Sequence, residues 1–143
     1  MKLKLFLATA ASLALAVSGF AKAPETANVK AQQQLSSDFK DASKVSWSTK
    51  ANLLEASFEW NGQQLHTFYN QDGEQVAISR EVTMDKLPIK AIQAIREKYS
   101  DYKAGEAIEL SNDEGLNYYL SLENGNKKVI LNVSANGQIS VFK

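Results

Sequence analysis

The sequence contains no cysteine, and that absence excludes several kinds of chemistry at once. Without thiols, the chain has no disulfide bonds, no cysteine nucleophile and no thiolate ligand for a metal ion. It also lacks the cysteine that carries the lipid of bacterial lipoproteins. Glycine-rich phosphate loops, clustered metal ligands and redox motifs are missing as well, so we expect no cofactor. A stable fold must therefore bury a sizeable apolar core.

An excess of either charge is also missing, because 16 basic residues balance 16 acidic ones. Loss of the lysines in the N-terminal segment described next would leave a net charge of −2 or −3. A weakly acidic surface argues against nucleic acid or an anionic membrane as the main partner. The composition leaves the oligomeric state open.

The first 23 residues have the layout of a secretory signal peptide. Two lysines precede an apolar run, Leu5 to Val17, which is shorter than the roughly 20 residues that span a bilayer. Small residues follow, and cleavage after Ala21 or after Ala23 fits the pattern. We therefore predict a signal peptide over 1–23 and a single domain over 24–143. The protein would be exported to the periplasm or the medium and would not stay in the membrane.

Apolar residues recur at helical spacing in two stretches. The first runs from Val29 to about Asp41, and the second from Leu87 to Tyr99, where Pro88 suits a first helical turn. Alternating apolar residues predict strands in the rest of the chain. The predicted strands are 45–47, 54–58, 65–69, 75–79, 107–110, 116–122, 128–133 and 138–142.

The dipeptide Asn61-Gly62 is the strongest turn signal, because both residues tolerate the positive φ of a type I′ turn. This turn places Trp60 opposite Gln63 and so sets the register of the two flanking strands. The pairs on the core face are then Phe58–Leu65, Ala56–Thr67 and Leu54–Tyr69. The opposite face, which we expect to meet solvent, carries Glu55, Glu59, Gln64, His66 and Phe68.

The stretch YNQDGEQV, Tyr69–Val76, alternates Asn70, Asp72 and Glu74, as both calcium loops and tight turns do. A similar stretch near the C-terminus, Asn132–Ile139, keeps the glycine but has no carboxylate. The first stretch also lacks the later bidentate glutamate of a calcium loop. We interpret it as a turn between strands and expect no metal there.

The similarity of these two stretches extends to the rest of the chain. The constant shift that lays Gly73 on Gly137 also lays Ala56 on Leu120 in the strands and Ala31 on Ile95 in the helices. The sequence therefore predicts an α+β fold of two tandem helix-plus-antiparallel-meander repeats, about 29–82 and 83–143. Both helices would pack on one face of the sheet.

Four segments in this order resemble a known family. They are ASKVSW (Ala42–Trp47), EASF (Glu55–Phe58), FYNQDGE (Phe68–Glu74) and LPIKAIQAIREKY (Leu87–Tyr99). The order is similar to that of PepSY-like, β-lactamase-inhibitor-protein-like domains, which are small exported proteins common in Bacteroidetes. The resemblance implies two helix-plus-sheet repeats and a non-enzymatic protein. Related PepSY domains bind or restrain peptidases, and the relative that names the fold blocks β-lactamases through hairpin loops.

The single histidine, His66, is the residue that suggests catalysis. The register puts it near Ser57, and Glu55 or Glu59 would complete a Ser–His–acid triad. However, a flat strand face offers neither a pocket nor an oxyanion hole. We therefore expect a solvent-facing His66 and no catalytic residue.

Aromatic and apolar side chains on the surface are the candidates for partner binding. The four candidates are Trp60, which adjoins the hairpin tip, and Phe68, Tyr119 and Ile130, which would share the outer face of the sheet. The resulting hypothesis is an exported binding module for a protein or peptide, in the manner of a peptidase or hydrolase inhibitor. The alternatives are a small hydrolase that uses His66, and an envelope structural or stress protein without a discrete ligand.

Overall fold

A computed structural model describes residues 28–143, which form two helices and one eight-stranded sheet. The predicted signal peptide and both cleavage sites lie outside the described residues. The helices are α1, Val29–Asp38, and α2, Ile89–Lys98. The strands are β1 Ser43–Lys50, β2 Leu53–Trp60, β3 Gln63–Tyr69, β4 Gln75–Val82, β5 Lys103–Asn112, β6 Gly115–Asn124, β7 Lys127–Ser134 and β8 Ile139–Val141.

Helix α1 forms where the sequence places an N-cap before an apolar stripe. The side chain of Asn28 accepts a hydrogen bond from the backbone N–H of Lys30, which satisfies one of the free donors of the first turn. Ala31 and Leu35 then face the sheet one turn apart. The helix ends at Asp38, before the predicted end near Asp41, because Phe39 leaves the helical conformation with a φ of −121° and a ψ of 70°.

Helix α2 begins at Ile89, directly after Pro88, and buries Ala91 and Ile95 on its sheet-facing side. A 3₁₀ turn at Met84–Lys86, which the periodicity did not predict, leads into it. No helix within residues 28–143 is both long enough and apolar enough to cross a membrane.

The sheet is an antiparallel meander in which the strands follow one another in chain order. The predicted hairpin register is confirmed, since Phe58 pairs with Leu65 and Ala56 with Thr67. Asn61 and Gly62 have φ of 50° and 75°, as a type I′ turn requires. Strands β1 and β4 are longer than predicted, because cross-strand hydrogen bonds continue beyond the apolar residues that marked them.

Both helices pack on the same face of this sheet, which we call the helix face. Helix α1 packs over the first three strands and α2 over the last four, giving two apolar clusters. The buried members of the first are Ala31, Leu35, Trp47, Ala56, Phe58, Leu65 and Tyr69. The buried members of the second are Leu87, Ala91, Ile95, Ala107, Tyr118, Leu120, Leu122, Leu131 and Val133.

The stretch Tyr69–Val76 is the turn between β3 and β4. The side-chain oxygen of Asn70 accepts hydrogen bonds from the backbone N–H groups of Asp72 and Glu74, each at 3.0 Å. Its amide group donates to the Glu74 carboxylate. Gly73, and not Asp72, takes the positive φ. The interpretation as a turn is thus confirmed, and the Asn70 oxygen is engaged by the backbone.

Thr67 places a hydroxyl group next to the apolar cluster under α1. Its side chain is fully buried on the helix face, and within the described part of the chain its Oγ1 makes no hydrogen bond of normal geometry, although the Tyr69 hydroxyl lies close enough to interact with it. Valine has nearly the same shape without the polar atom. We expect Thr67→Val to raise the free energy of unfolding by about 1 kcal/mol, measured by urea titration, because a buried unpaired hydroxyl is costly.

The matched control for this substitution is Thr49→Val, at an exposed position of β1 on the same face. It should change the free energy of unfolding by no more than about 0.5 kcal/mol. A loss of stability in Thr67→Val would mean that the hydroxyl makes a stabilising contact.

Candidate partner-binding face

The second face of the sheet, which we call the helix-free face, has neither helix packed on it. Its side chains follow from the cross-strand pairs, because residues that face each other across adjacent strands point to the same side. The row through the middle of this face is Ser57, His66, Ser79, Leu110, Asn117 and Ser134. Small hydroxyl and amide side chains therefore surround the one histidine of the chain.

Glu55 is the central charged group of the helix-free face, and the structure buries it. The residue is only 5% exposed, although the sequence pattern predicted a solvent-facing glutamate. Its Oε2 accepts from Lys50 Nζ at 2.7 Å and from Ser48 Oγ at 3.2 Å, and its Oε1 lies 2.8 Å from His66 Nδ1. The expectation was wrong because Lys50 and Ser48 on β1 supply the partners that a buried carboxylate needs.

The hydrogen bonds around Glu55 keep its carboxylate ionised. Burial by itself would raise the pKa of Glu55. The hydrogen bonds from His66 and Lys50, together with their positive charge, outweigh burial and lower the pKa from 4.5 to about 2. Glu55 is therefore a fixed negative charge near neutral pH.

An apolar cluster lies beside this polar group. Phe68, Ala77 and Leu110 are its buried members, and Tyr119 and Phe142 are among the partly buried residues that pack against it. The Tyr119 and Phe142 rings meet edge to face with their centroids 5.1 Å apart. Phe68 was expected to be an exposed apolar residue, but it is only 7% exposed. The structure thus makes it part of a third, smaller apolar cluster, which lies on the helix-free face.

The structure brings three of the four candidate residues to this face. Phe68 and Tyr119 belong to the apolar cluster just described. Ile130 lies across from Phe142, whose backbone N–H donates to the Ile130 carbonyl at 2.7 Å. Burial raises the pKa of the Tyr119 phenol, which stays neutral in the physiological range. Sequence alternation on separate strands was therefore enough to find three residues that share one surface.

Trp60 does not belong to this surface. Its side chain lies on the helix face, where its ring meets Phe39 edge to face at 5.5 Å. Its Nε1–H donates to the backbone carbonyl of Lys40 at 2.9 Å. Trp60 therefore anchors the chain that leaves α1, and the structure separates it from the other three candidates.

The structure brings together two of the three residues of the proposed catalytic triad. His66 and Glu55 form the base–acid pair, and the His66 side chain is 28% exposed rather than fully solvent-facing. The hydroxyl of Ser57 instead accepts a hydrogen bond from Gln64 Nε2 at 2.8 Å. The structure thus orients the histidine but does not direct the serine toward it. No group of three or more metal-ligating side chains occurs in residues 28–143.

A cleft of about 380 Å³ on the molecule is lined by the β2–β3 turn and the end of β4. Arg80 is its prominent cation, but its guanidinium already binds Glu109 at 2.8 Å and the side-chain oxygen of Gln63 at 2.9 Å. An arginine paired in this way links β4 to β5 and leaves little binding capacity for an anion. The helix-free face is therefore the stronger candidate site.

Sequence reasoning missed four residues of this site. Ser48 and Lys50 belong to the part of β1 that the short apolar pattern did not reveal, and Leu110 and Phe142 were assigned to strands without a face. The position of Lys50 could have been predicted from a two-residue turn at Ala51-Asn52, where both residues have positive φ. Such a turn sets Lys50 opposite Leu53 and so places Ser48 opposite Glu55.

Comparison with known proteins places the fold among solved Bacteroides structures. No family profile and no curated protein matches the chain. A BLIP-like protein from Bacteroides fragilis matches with a TM-score of 0.70 and 19% identity, covering 85% of this chain and 86% of that one. A DUF2874 family protein from Bacteroides uniformis matches with a TM-score of 0.72 and 20% identity, covering 82% of this chain and 86% of that one.

A third similar structure, from Bacteroides eggerthii, is described provisionally as periplasmic. It gives a TM-score of 0.72 and 19% identity, covering 84% of this chain and 89% of that one. At such identities the similarity establishes the fold alone. The resemblance found in the sequence is confirmed at that level: this chain has the α+β fold of BLIP-like and DUF2874 proteins of Bacteroides.

Proposed function

We propose that this protein is an exported, non-enzymatic binding module that holds a protein or peptide partner on its helix-free face. The observation that carries the proposal is the juxtaposition on that face of an apolar cluster and a satisfied Glu55–His66 pair. Aromatic rings next to small polar groups are typical of protein-recognition surfaces. Neither helix packs on this face, so the described part of the chain leaves room for a partner.

Export is supported by two independent observations. The first 23 residues have the layout of a signal peptide, and a similar structure from Bacteroides eggerthii is described as periplasmic. We place the protein in the periplasm or the medium, in line with both. An inhibitor-like action on a peptidase or another hydrolase is the form of binding that the BLIP-like neighbour suggests.

We also propose that the two halves are tandem repeats, with a correction to the helix alignment. A Cβ on Gly73 would meet the backbone N of Ala31, and a Cβ on Gly137 would meet that of Ala91. Ala31 thus corresponds to Ala91, and not to Ile95 as the constant shift implied. The offset changes because β5 and β6 continue for the extra pairs Ser111–Leu116 and Asn112–Gly115.

The binding proposal is tested by affinity capture from the envelope fraction of the protein's own host. Tyr119→Ser removes a ring of the apolar cluster, and Ser140→Arg puts a charge at an exposed position of the same face without touching the core. We expect each to lower the amount of the partner captured by the unaltered protein by about tenfold, a typical hot-spot effect. Mass spectrometry with isotopic labels measures the ratio.

The matched control for capture is Ile89→Ser. Ile89 is 75% exposed at the start of α2 and lies away from the helix-free face. It should leave capture unchanged. If Tyr119→Ser and Ser140→Arg also leave capture unchanged while Ile89→Ser abolishes it, the binding surface is not the helix-free face.

A hydrolase remains the second candidate because of one observation, the 2.8 Å contact between His66 Nδ1 and Glu55. That pair is the base and acid of a triad without its nucleophile. An activity in a broad hydrolase screen that disappears in His66→Ala would favour it. An envelope role without a ligand would show neither capture nor turnover.

A further inference from the structure

Strand β8 forms an open edge of the sheet. The Phe142 N–H donates to the Ile130 carbonyl of β7 at 2.7 Å. Because backbone groups alternate in direction along an antiparallel strand, Ile139 and Val141 direct their N–H and C=O groups away from β7. No strand within residues 28–143 pairs with that side of β8. The edge therefore offers two N–H and two C=O groups to an added strand.

The opposite edge of the sheet, formed by β1, is less suited to pairing with another strand. The register of β1 shifts between Ser43 and Ser46, and Lys44 between them has a left-handed φ of 52°. Such an irregularity interrupts the row of backbone groups that an incoming strand needs. The pairing of β8 with β7 is regular over Ile139–Val141.

A cleft of about 500 Å³ lies between α2 and β8. Ala94 and Lys98 line it from the helix, and Ile139 and Ser140 line it from the strand. The next residue of β8, Val141, is 64% exposed and offers an apolar surface. Strand addition gives affinity through main-chain hydrogen bonds and specificity through pockets for alternate side chains. Side chains on the helix-face side of an added strand would enter this cleft.

The side of α2 that borders the cleft is positively charged. Lys90, Ala94 and Lys98 recur every four residues, which places them on one side of the helix. A Cβ on Gly137 would lie 3.0 Å from Lys90 Cβ, so this side adjoins the turn that leads into β8. Within residues 28–143 neither lysine forms an ion pair, and no carboxylate lines the cleft. A carboxylate on an added strand would therefore find cations without partners.

A second copy of this chain would fit the edge less well. In a two-fold pairing of β8 with β8, both α2 helices would lie on the same face of the joined sheet. Their lysine-bearing sides would then face each other, and like charges across an interface repel. A strand of three residues also supplies only a small part of the roughly 1,000 Å² that a stable interface buries.

We propose that β8 binds a short, extended, acidic segment of a partner protein as a ninth strand of the sheet. The backbone groups of Ile139 and Val141 hold the segment, and Lys90 and Lys98 select its negative charge. This site goes beyond the proposed function, because it uses the sheet edge and α2 and not the side chains of the helix-free face.

The charge preference is tested with a phage-displayed library of linear random octapeptides, selected on the protein purified from its host. We expect enriched peptides to be rich in Asp, Glu and β-branched residues, and to bind about tenfold more weakly to Lys98→Glu. The matched control is Arg96→Glu, which makes the same change of charge on the same helix. Arg96 is two positions from Lys98 and so lies on another side of α2, and its substitution should leave the affinity unchanged.

The backbone pairing is tested with Val141→Pro. Proline removes the N–H that β7 does not use, and an edge strand tolerates proline at such a position. We expect the affinity for the enriched peptides to fall about tenfold. In the unaltered protein, a bound peptide should slow amide exchange at Ile139 and Val141 by about tenfold, measured by NMR. The Phe142 amide, which already donates to β7, should change little.

Several results would overturn this proposal without affecting the proposed function. They are no enrichment, enriched peptides without acidic residues, and peptides that slow neither amide or bind Val141→Pro as tightly as the unaltered protein. A dimer that Val141→Pro abolishes, seen by analytical ultracentrifugation, would show that a second copy occupies the edge.

Tyr119→Ser separates this site from the helix-free face. It should leave peptide binding unchanged, because the Tyr119 ring packs in the apolar cluster of that face. Loss of peptide binding in Tyr119→Ser alone would place the peptide on the helix-free face and contradict the β8 site. Circular dichroism shows whether each variant is folded, and Lys98→Glu, at an exposed position, keeps the test decisive if Val141→Pro does not fold.

Discussion

Replacing Gly73 by alanine is expected to lower the free energy of unfolding by about 3 kcal/mol, a large effect for a single methyl group. Gly73 has a φ of +79°, which costs an L-residue about 1–2 kcal/mol. The added Cβ would also lie 2.8 Å from Lys30 Cβ and 2.9 Å from the backbone N of Ala31. The backbone atom cannot rotate away, so α1 must shift from the sheet.

The matched control is Gly62→Ala, because Gly62 has nearly the same φ, +75°, with nothing within 4 Å of the new Cβ. Gly62→Ala should lower the free energy of unfolding only by the cost of a positive φ for an L-residue. Gly137→Ala should fall between the two, since its nearest contacts are 3.0 Å and 3.3 Å. Chemical denaturation of the three variants gives the order, and equal losses in Gly73→Ala and Gly62→Ala would show that α1 accommodates the methyl group freely.

The second large effect is a loss of stability in acid that depends on Glu55. Its pKa is about 2 in the folded protein, below the 4.5 of an unperturbed glutamate. The ionised carboxylate therefore stabilises the fold above pH 4.5, and this contribution disappears as the pH falls from about 4.5 to about 2. The shift corresponds to about 3 kcal/mol. Glu55→Gln keeps the shape but cannot ionise, so its stability should fall less over this range.

Other carboxylates also titrate in acid, so the difference between variants is the informative quantity. Glu59→Gln is the control, because Glu59 pairs with Lys44 at an exposed position where an ion pair contributes little. Its pH profile should follow that of the unaltered protein. Parallel loss of stability in the unaltered protein and in Glu55→Gln between pH 5 and pH 2 would contradict the account of Glu55.

Local sequence patterns were sufficient to predict the helices and strands of this fold. Apolar spacing at the helical period identified both helices, and strict alternation identified the strands, because burial of one face imposes that spacing. The Asn61-Gly62 turn was sufficient to predict the register of β2 and β3, since a type I′ turn allows one pairing. Strand ends were predicted poorly, because backbone pairing continues past the last apolar side chain, as in β1 and β4.

The candidate site was predictable in part. Alternation placed Phe68, Tyr119 and Ile130 on one face, and the structure keeps them there. Alternation cannot say how deeply a side chain is buried, so Phe68 and Glu55 were both assigned to solvent. The position of Trp60 relative to the other three candidates was not predictable, since proximity to a hairpin tip says nothing of Phe39 and Lys40, which contact it from the segment after α1.

The sequence by itself determined the helices, the strands, the Asn61-Gly62 turn and the face of the strand residues that alternate regularly, because these depend on neighbours within a few positions. Only the tertiary structure decided that a histidine, a glutamate and a lysine from three strands form one satisfied group, and that Gly73 supports α1. Such contacts join residues that are distant in the chain. Their distances and burial depend on the packing of the whole sheet, which no local pattern contains.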